Sequence, residues 1–240
     1  MAKKLLLVSN SILHGSGYLD HCEGEIRNFL GGAGKILFVP YARPGGITHA
    51  EYADVASRRF EKMGYALNSI HEAVNPVFTP KDAVESAGAI FIGGGNTFRL
   101  LAGLQGADIM PNIYGRVKEG MPYIGTSAGA NVACPTIMTT NDMPIAEVPS
   151  LHALGLVPFQ INPHYIDADP NSKHMGETRE TRIKEYLAFN TIPVVGLREG
   201  AMLVLDENGL TLKGSTGARV FRKGEEPGEY SPGDSLDFLL

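Results

Sequence analysis

The sequence predicts a single α/β domain: a mostly parallel sheet with helices on both faces, and extra short strands toward the C-terminus. Three observations predict it. Lys4 to Val8, Lys35 to Val39 and Gly88 to Ile92 are short, nearly continuous apolar runs ending in polar or Gly-rich turns. Strands covered on both faces read this way, whereas half-exposed strands alternate. Between the second and third runs, Tyr52, Val55, Ala56, Phe60 and Met63 recur at spacings of three and four, which predicts a helix from Thr48 to Met63. Strands separated by helices imply parallel pairing through right-handed crossovers. The 240-residue length fits one such domain, since α/β domains commonly reach about 200–250 residues.

The elements follow in order. The start, Met1 to Val8, imitates a signal peptide, but its apolar run stops at Ser9-Asn10, short of the roughly 7–15 residues required. It reads instead as a buried first strand. Gly64 closes the helix that follows the second run, as a C′ glycine does. A strand from Ala66 to Ile70 leads to a turn at Asn75-Pro76. After Gly93-Gly94-Gly95, Asn96 or Thr97 can cap a helix through Phe98, Leu100, Leu101 and Leu104. A helix from Ile109 to Glu119 leads through Gly120 into a strand, Pro122 to Gly125, and a short helix spans Ala128 to Ala133. Residues 134–176 are rich in Pro, Asn, Asp and His with little periodicity, and so long an irregular stretch usually serves function. Gly176 to Phe189 reads as a charged helix with Ile183 and Leu187 inward. Pro193 to Leu197, Ala201 to Leu205, Gly209 to Lys213 and Ala218 to Arg222 read as short strands, with a hairpin turn at Glu207-Asn208-Gly209. Gly224 to Leu240 reads as a polar tail.

Composition excludes several classes of function. Lys+Arg number 21 against Asp+Glu 26, a net charge of −5 with no basic block, which argues against nucleic acid as a main partner. Two cysteines, Cys22 and Cys134, are too few for a disulfide framework and have no histidine at metal-ligand spacing. No stretch approaches the roughly 18 apolar residues of a membrane span. The expectation is a cytoplasmic protein that needs no metal or cofactor.

The chemistry concentrates at Gly125-Thr126-Ser127-Ala128-Gly129, a Gly-x-Ser-x-Gly motif between a predicted strand and a predicted helix. That context puts Ser127 on a tight turn, with the N–H of Ala128 and the helix dipole facing any negative charge that develops there. The alternative is a serine that merely caps a helix. A serine hydroxyl is weak until a base takes its proton. Of seven histidines, His164, in Ile161-Asn162-Pro163-His164-Tyr165, sits at the end of an apolar strand and is held by a preceding proline; the alternative is a satisfied, partly buried histidine. His152 and His174 lie in polar loop sequence. Asp142 and Glu199 both qualify as the third group that orients the imidazole, and spacing does not choose between them. Gly93-Gly94-Gly95-Asn96 lacks a phosphate-binding pattern, but its glycines can turn N–H groups toward an oxyanion; a plain tight turn is the alternative.

Leu5 to Ser11 (LLLVSNS), Gly93 to Phe98 (GGGNTF), Gly125 to Asn131 (GTSAGAN), Cys134 to Pro144 (CPTIMTTNDMP), Gln160 to His164 (QINPH) and Gly176 to Arg179 (GETR) together give a resemblance that covers nearly the whole chain. The chain resembles the peptidase E family of serine α-aspartyl dipeptidases, related to cyanophycinases, with a fold similar to class I glutamine amidotransferases. The resemblance implies Ser127 as nucleophile, His164 as base and Asp142 as carboxylate partner, with Glu199 as the structural rival. It implies an oxyanion hole from Gly94 or Gly95 and the Ala128 N–H. It implies dipeptides with N-terminal aspartate as substrates, for which Arg179 and Asn96 are the binding candidates. Arg offers a bidentate match to a desolvated carboxylate; the alternative for Arg179 is a surface pair with Glu177 or Glu180. Thr126 departs from members that carry Trp there. Two rivals stand beside this reading. An α/β-hydrolase esterase would place its histidine close to the chain end, whereas about a third of this chain follows His164. A silent binding module would hold an anionic metabolite on the same turns.

Overall fold

In the computed structural model, residues 3–73, 77–169, 171 and 176–240 are described. The expected turn at Asn75-Pro76 and His174 lie outside them. The strands are β1 (Leu5–Val8), β2 (Ile36–Val39), β3 (Leu67–Ser69), β4 (Ala89–Ile92), β5 (Tyr123–Thr126), β6 (Gln160–Tyr165), β7 (Val194–Arg198), β8 (Ala201–Asp206), β9 (Gly209–Gly214), β10 (Ala218–Phe221) and β11 (Gly228–Tyr230). The helices are α1 (Glu23–Leu30), α2 (His49–Lys62), α3 (Pro80–Glu85), α4 (Thr97–Gly106), α5 (Met110–Lys118), α6 (Ala128–Val132) and α7 (Arg179–Phe189).

Seven strands form the main sheet, ordered β3-β2-β4-β5-β1-β8-β9. The first five run parallel; β8 lies antiparallel to β1, and β9 antiparallel to β8. Because successive side chains in a strand point to opposite faces, the apolar runs divide between two layers. Leu5, Leu7, Leu37, Val39, Ile90 and Ile92 face the layer that holds α3 to α6. Leu6, Val8, Ile36, Phe38, Ala89 and Phe91 face the layer of α1 and α2. This is why the runs lack alternation: both faces of each strand are covered.

A second sheet, ordered β11-β10-β7-β6, pairs β6 and β7 in parallel and the rest antiparallel. Ile161, Val195, Leu197, Ala218 and Val220 join the core cluster that contains Leu5 and Ile92, so the two sheets share apolar packing. The opposite face of the small sheet is covered by α7 through Ile183 and Leu187. The short C-terminal strands are therefore divided: β8 and β9 extend the main sheet, while β7, β10 and β11 build the second one around β6. The expected polar tail is also structured. It contains β11, and Leu236 and Leu239 are buried.

Helix α2 begins with a capping box, in which the Thr48 hydroxyl accepts from the Glu51 N–H and the Glu51 side chain accepts from the Thr48 N–H. Gly64 follows it at φ 85°. Asn96 caps α4 by accepting the Arg99 N–H. The helices α1 and α3, eight and six residues long, carry too few periodic positions to have been read from the sequence.

Candidate active site

Strand β5 lies between β4 and β1 in the middle of the main sheet and ends directly at Ser127. The carboxyl ends of central parallel strands open onto the crevice where such sheets bind ligands. At Ser127 the chain reverses into α6 within a single residue, at φ 51° and ψ −108°. A backbone like that costs on the order of 1–3 kcal/mol for an L-residue and persists only where its surroundings enforce it. Here the Ser127 N–H donates to the Val8 carbonyl at 2.9 Å. Gly129 lets α6 lie directly on β4, since a Cβ there would run into the Ile92 carbonyl. The second glycine of the motif is thus a steric requirement. The Ser127 side chain caps no helix; its Oγ lies 2.9 Å from His164 Nε2.

His164 reaches Ser127 because β6 is bulged. The register of β6 against β7 shifts between Pro163 and Tyr165, and His164 adopts φ 53°. A bulge re-aims the side chain it carries. The His164 N–H donates to Ser9 Oγ at 2.9 Å, and the fully buried Ser9 hydroxyl donates to the Leu197 carbonyl at 2.8 Å. The end of β1 is thereby tied to both β6 and β7.

The second ring nitrogen, His164 Nδ1, lies 2.7 Å from Glu199 Oε1. A carboxylate only accepts, so this contact places the ring proton on Nδ1 and leaves Nε2 as acceptor for the Ser127 hydroxyl. Glu199 sits in the turn from β7 to β8, where the chain passes from the small sheet to the main one. The Gly200 N–H donates to the buried Asn10 Oδ1 at 2.8 Å, and the Thr216 hydroxyl donates to the Glu199 carbonyl at 2.6 Å.

Asp142 is not hydrogen-bonded to the imidazole, both of whose nitrogens are engaged by Ser127 and Glu199. The pairing implied by resemblance is corrected accordingly. Asp142 Oδ2 accepts from the Thr97 N–H at 2.7 Å and the Thr97 hydroxyl at 2.6 Å. The physical reason lies in α4, whose first N–H groups lack intrahelical partners and attract a carboxylate.

Gly94 and Gly95 stand beside Ser127 and Ala42. A Cβ on Gly94 would lie 3.2 Å from the Ser127 Cβ, and one on Gly95, at φ 133°, would lie 2.7 Å from the Ala42 carbonyl oxygen. At Gly95 the positive φ and that approach require glycine; at Gly94 a methyl group would be tightly crowded. Among the described residues, neither glycine's N–H donates to another backbone group. The Gly94 carbonyl accepts from the Tyr52 hydroxyl at 3.0 Å; burial pushes that hydroxyl up to about 12, which keeps it a neutral donor. Asn96 does not turn into the crevice; its amide bonds the Arg99 N–H and, at 2.9 Å, the Met143 carbonyl.

Arg179 opens α7 half-buried. The surface pair weighed against it does not form, because Glu177 holds Arg182 and Glu180 holds Lys184 and Arg219. Arg179 makes no ion pair among the described residues. Burial and then the Arg182 charge lower its pKa, and the Asp142 carboxylate acts in the opposite sense. Beside Ser127, His164 and Gly94 lies a cavity of about 340 Å³, walled on its far side by Tyr18, Ile47, Tyr52 and Val55. Thr126 is fully buried, and its Oγ1 accepts from Ser11 at 2.8 Å.

Ser9, Asn10 and Tyr52 were not singled out from the sequence. Ser9 and Asn10 registered there as the end of an apolar run and as part of the LLLVSNS segment, without a role of their own, although two polar residues directly after a buried strand are themselves a signal.

Residues 5–213 match the profile of peptidase family S51. The chain belongs to peptidase family S51. It is 44% identical over 236 residues to peptidase E of Streptomyces coelicolor, covering 98% of this chain and 94% of the relative. It is 46% identical over 243 residues to peptidase E of Nostoc sp., covering 100% and 98%. It is 41% identical over 242 residues to a probable alpha-aspartyl dipeptidase of Drosophila melanogaster, covering 100% and 98%. Two crystal structures share the fold. A peptidase from an acI-B1 Actinobacterium superposes with a TM-score of 0.73 at 19% identity, covering 99% of this chain and 98% of that one. A putative peptidase E protein from Listeria monocytogenes EGD-e gives 0.67 at 20% identity, covering 90% and 100%. The S51 match spans every strand that carries a site residue, from β1 to β8. Among the described residues, no helix of this S51 chain is long and apolar enough to cross a membrane.

Proposed function

We propose that this S51 peptidase is a serine dipeptidase that hydrolyses dipeptides with N-terminal aspartate through an acyl-enzyme on Ser127. The observation that carries the reading is the unbroken chain of contacts from Ser127 Oγ to His164 Nε2 at 2.9 Å and from His164 Nδ1 to Glu199 at 2.7 Å. The relatives named peptidase E and alpha-aspartyl dipeptidase support the substrate class.

His164 takes the Ser127 proton as Oγ attacks the carbonyl carbon of the aspartyl residue. The oxyanion faces the N–H of Ala128, at the head of α6, and an N–H of Gly94 or Gly95. Glu199 stabilises the imidazolium. His164 then protonates the leaving amine, the C–N bond breaks, and a water deprotonated by His164 hydrolyses the ester. Arg179, which no carboxylate engages among the described residues, pairs with the aspartate side chain of the substrate. The apolar wall of Tyr18, Ile47, Tyr52 and Val55 receives the side chain after the scissile bond, which favours bulky apolar residues there. No step needs a metal or cofactor.

The test is hydrolysis of Asp-Leu by wild type and Ser127→Ala. The variant is expected to lose several orders of magnitude in kcat while remaining folded. A folded Ser127→Ala protein with the wild-type rate overturns the reading. Turnover of p-nitrophenyl acetate in preference to Asp-X peptides would favour the esterase rival, and failure of a fluorophosphonate to label Ser127 would favour the binding module.

A further inference from the structure

A second groove, of about 690 Å³, lies between the segment after β2 and the face of α4. None of its lining residues lines the catalytic cavity. Two cationic side chains and a histidine line it: Arg43 from the segment after β2, Arg99 from the first turn of α4, and His49 from the start of α2. Among the described residues neither arginine holds a carboxylate. The side chain of Arg99 donates to the Arg43 backbone carbonyl at 3.4 Å, and the Arg43 Nε is shielded from solvent with no acceptor. By contrast, Arg59, Arg116, Arg198 and Arg219 are each paired with carboxylates.

Two arginines that line one groove without a carboxylate partner leave its positive charge unneutralised. The rest of the groove is apolar. Gly103 allows the Tyr41 ring to lie on α4, where a Cβ would meet that ring at 2.8 Å, and Ile145 closes the side. His49 feels the same unrelieved field: its pKa is lowered first by burial and then by the charges of Arg43, His71 and Arg99.

We propose that this groove binds a small oxyanion, a carboxylate or phosphate carried on an apolar body, with Arg43 and Arg99 as its principal partners and His49 as a further donor. The planar forks of two arginines match the oxygens of such a group, and guanidinium is weakly hydrated and so surrenders water readily. The anion supplies the counter-charge that neither arginine finds among the described residues. The apolar floor takes the body of the ligand.

Isothermal titration calorimetry of the whole chain with inorganic phosphate, and separately with succinate, tests this at about 0.15 M salt, where loose surface attraction is screened. At least one of the two is expected to bind saturably, about tenfold or more weaker in Arg43→Gln and Arg99→Gln, and unchanged in Arg179→Gln. Whether phosphate or succinate binds tighter identifies the source of the oxyanion. Absence of saturable binding with both ligands overturns the proposal. So does equal affinity in the Arg43→Gln/Arg99→Gln protein, or binding lost in Arg179→Gln alone, which would place the anion at the catalytic centre. Should a Gln variant fail to fold, the Arg43→Lys/Arg99→Lys protein keeps both charges and loses the forks: weaker binding supports the site and unchanged binding overturns it.

Discussion

Glu199 and Asp142 are similar carboxylates whose surroundings give them different work. Glu199 accepts from an imidazole, so Glu199→Gln would offer that nitrogen an amide in place of a charge and release the ring tautomer. A fall in kcat of about 10²–10⁴ is expected, measured on Asp-Leu. Asp142 instead accepts from Thr97 at the head of α4. Asp142→Ala is expected to lower stability by about 0.5–2 kcal/mol in denaturant unfolding and to raise KM through Arg179, while the pH profile of kcat keeps its shape. A reversed outcome would return the triad role to Asp142. The strand–turn–helix at Ser127 was legible in the sequence because its turn chemistry is local: five consecutive residues carry it. Which carboxylate meets His164 was not legible, because the crossing of the chain at Glu199-Gly200 brings that side chain to the imidazole from another strand. Ser9 is equally non-local, since its hydroxyl joins residues 155 and 188 positions away.

At the scale of elements, the ends of β6 and β7 are clamped just beyond the residues that matter. Arg198 Nε and Nη2 donate to the two Asp167 oxygens at 2.7 Å each, three residues after His164 and one before Glu199. Arg198 holds the Asp167 carboxyl below its usual range. The folded pKa is depressed, so the stabilisation is present above the unfolded value of about 3.9 and is lost as pH falls through the folded value. Asp167→Asn is therefore expected to lower the denaturant midpoint at pH 7, and the difference from wild type is expected to shrink as the pH is taken below about 4. A constant difference at both pH values would show that the clamp is not electrostatic. Gly129→Ala is expected to destabilise by about 1–3 kcal/mol in the same assay, because its methyl group meets the β4 backbone. Helix α2 was legible from its apolar period and its terminal Gly64. Strand β6 was legible only as the strand end before His164: Asn162 and Pro163 interrupt its six residues, and it lies inside a stretch otherwise without pattern.

At the scale of the molecule, the C-terminal stretch read as a polar tail because only a few apolar residues punctuate it, yet it completes the core. Leu236 is fully buried and its N–H donates to the Leu210 carbonyl at 2.8 Å, while Leu239 is 6% exposed. Each contributes about 1.5–3 kcal/mol, so a chain ending at Tyr230 is expected to melt on the order of 10 °C lower by calorimetry. An unchanged Tm would mean the segment only decorates the surface. The two sheets bear on activity in a further way. Ser127 follows a strand of the main sheet, His164 lies on the small one, and Glu199 sits in the β7–β8 turn, one of the connections between them. On the proposed mechanism, a chain in which each sheet has formed but the pair has not yet docked would hold all three groups apart and hydrolyse nothing. Peptide turnover during refolding would thus appear abruptly, after ellipticity has recovered, and would time the final closure of the molecule with no dye attached.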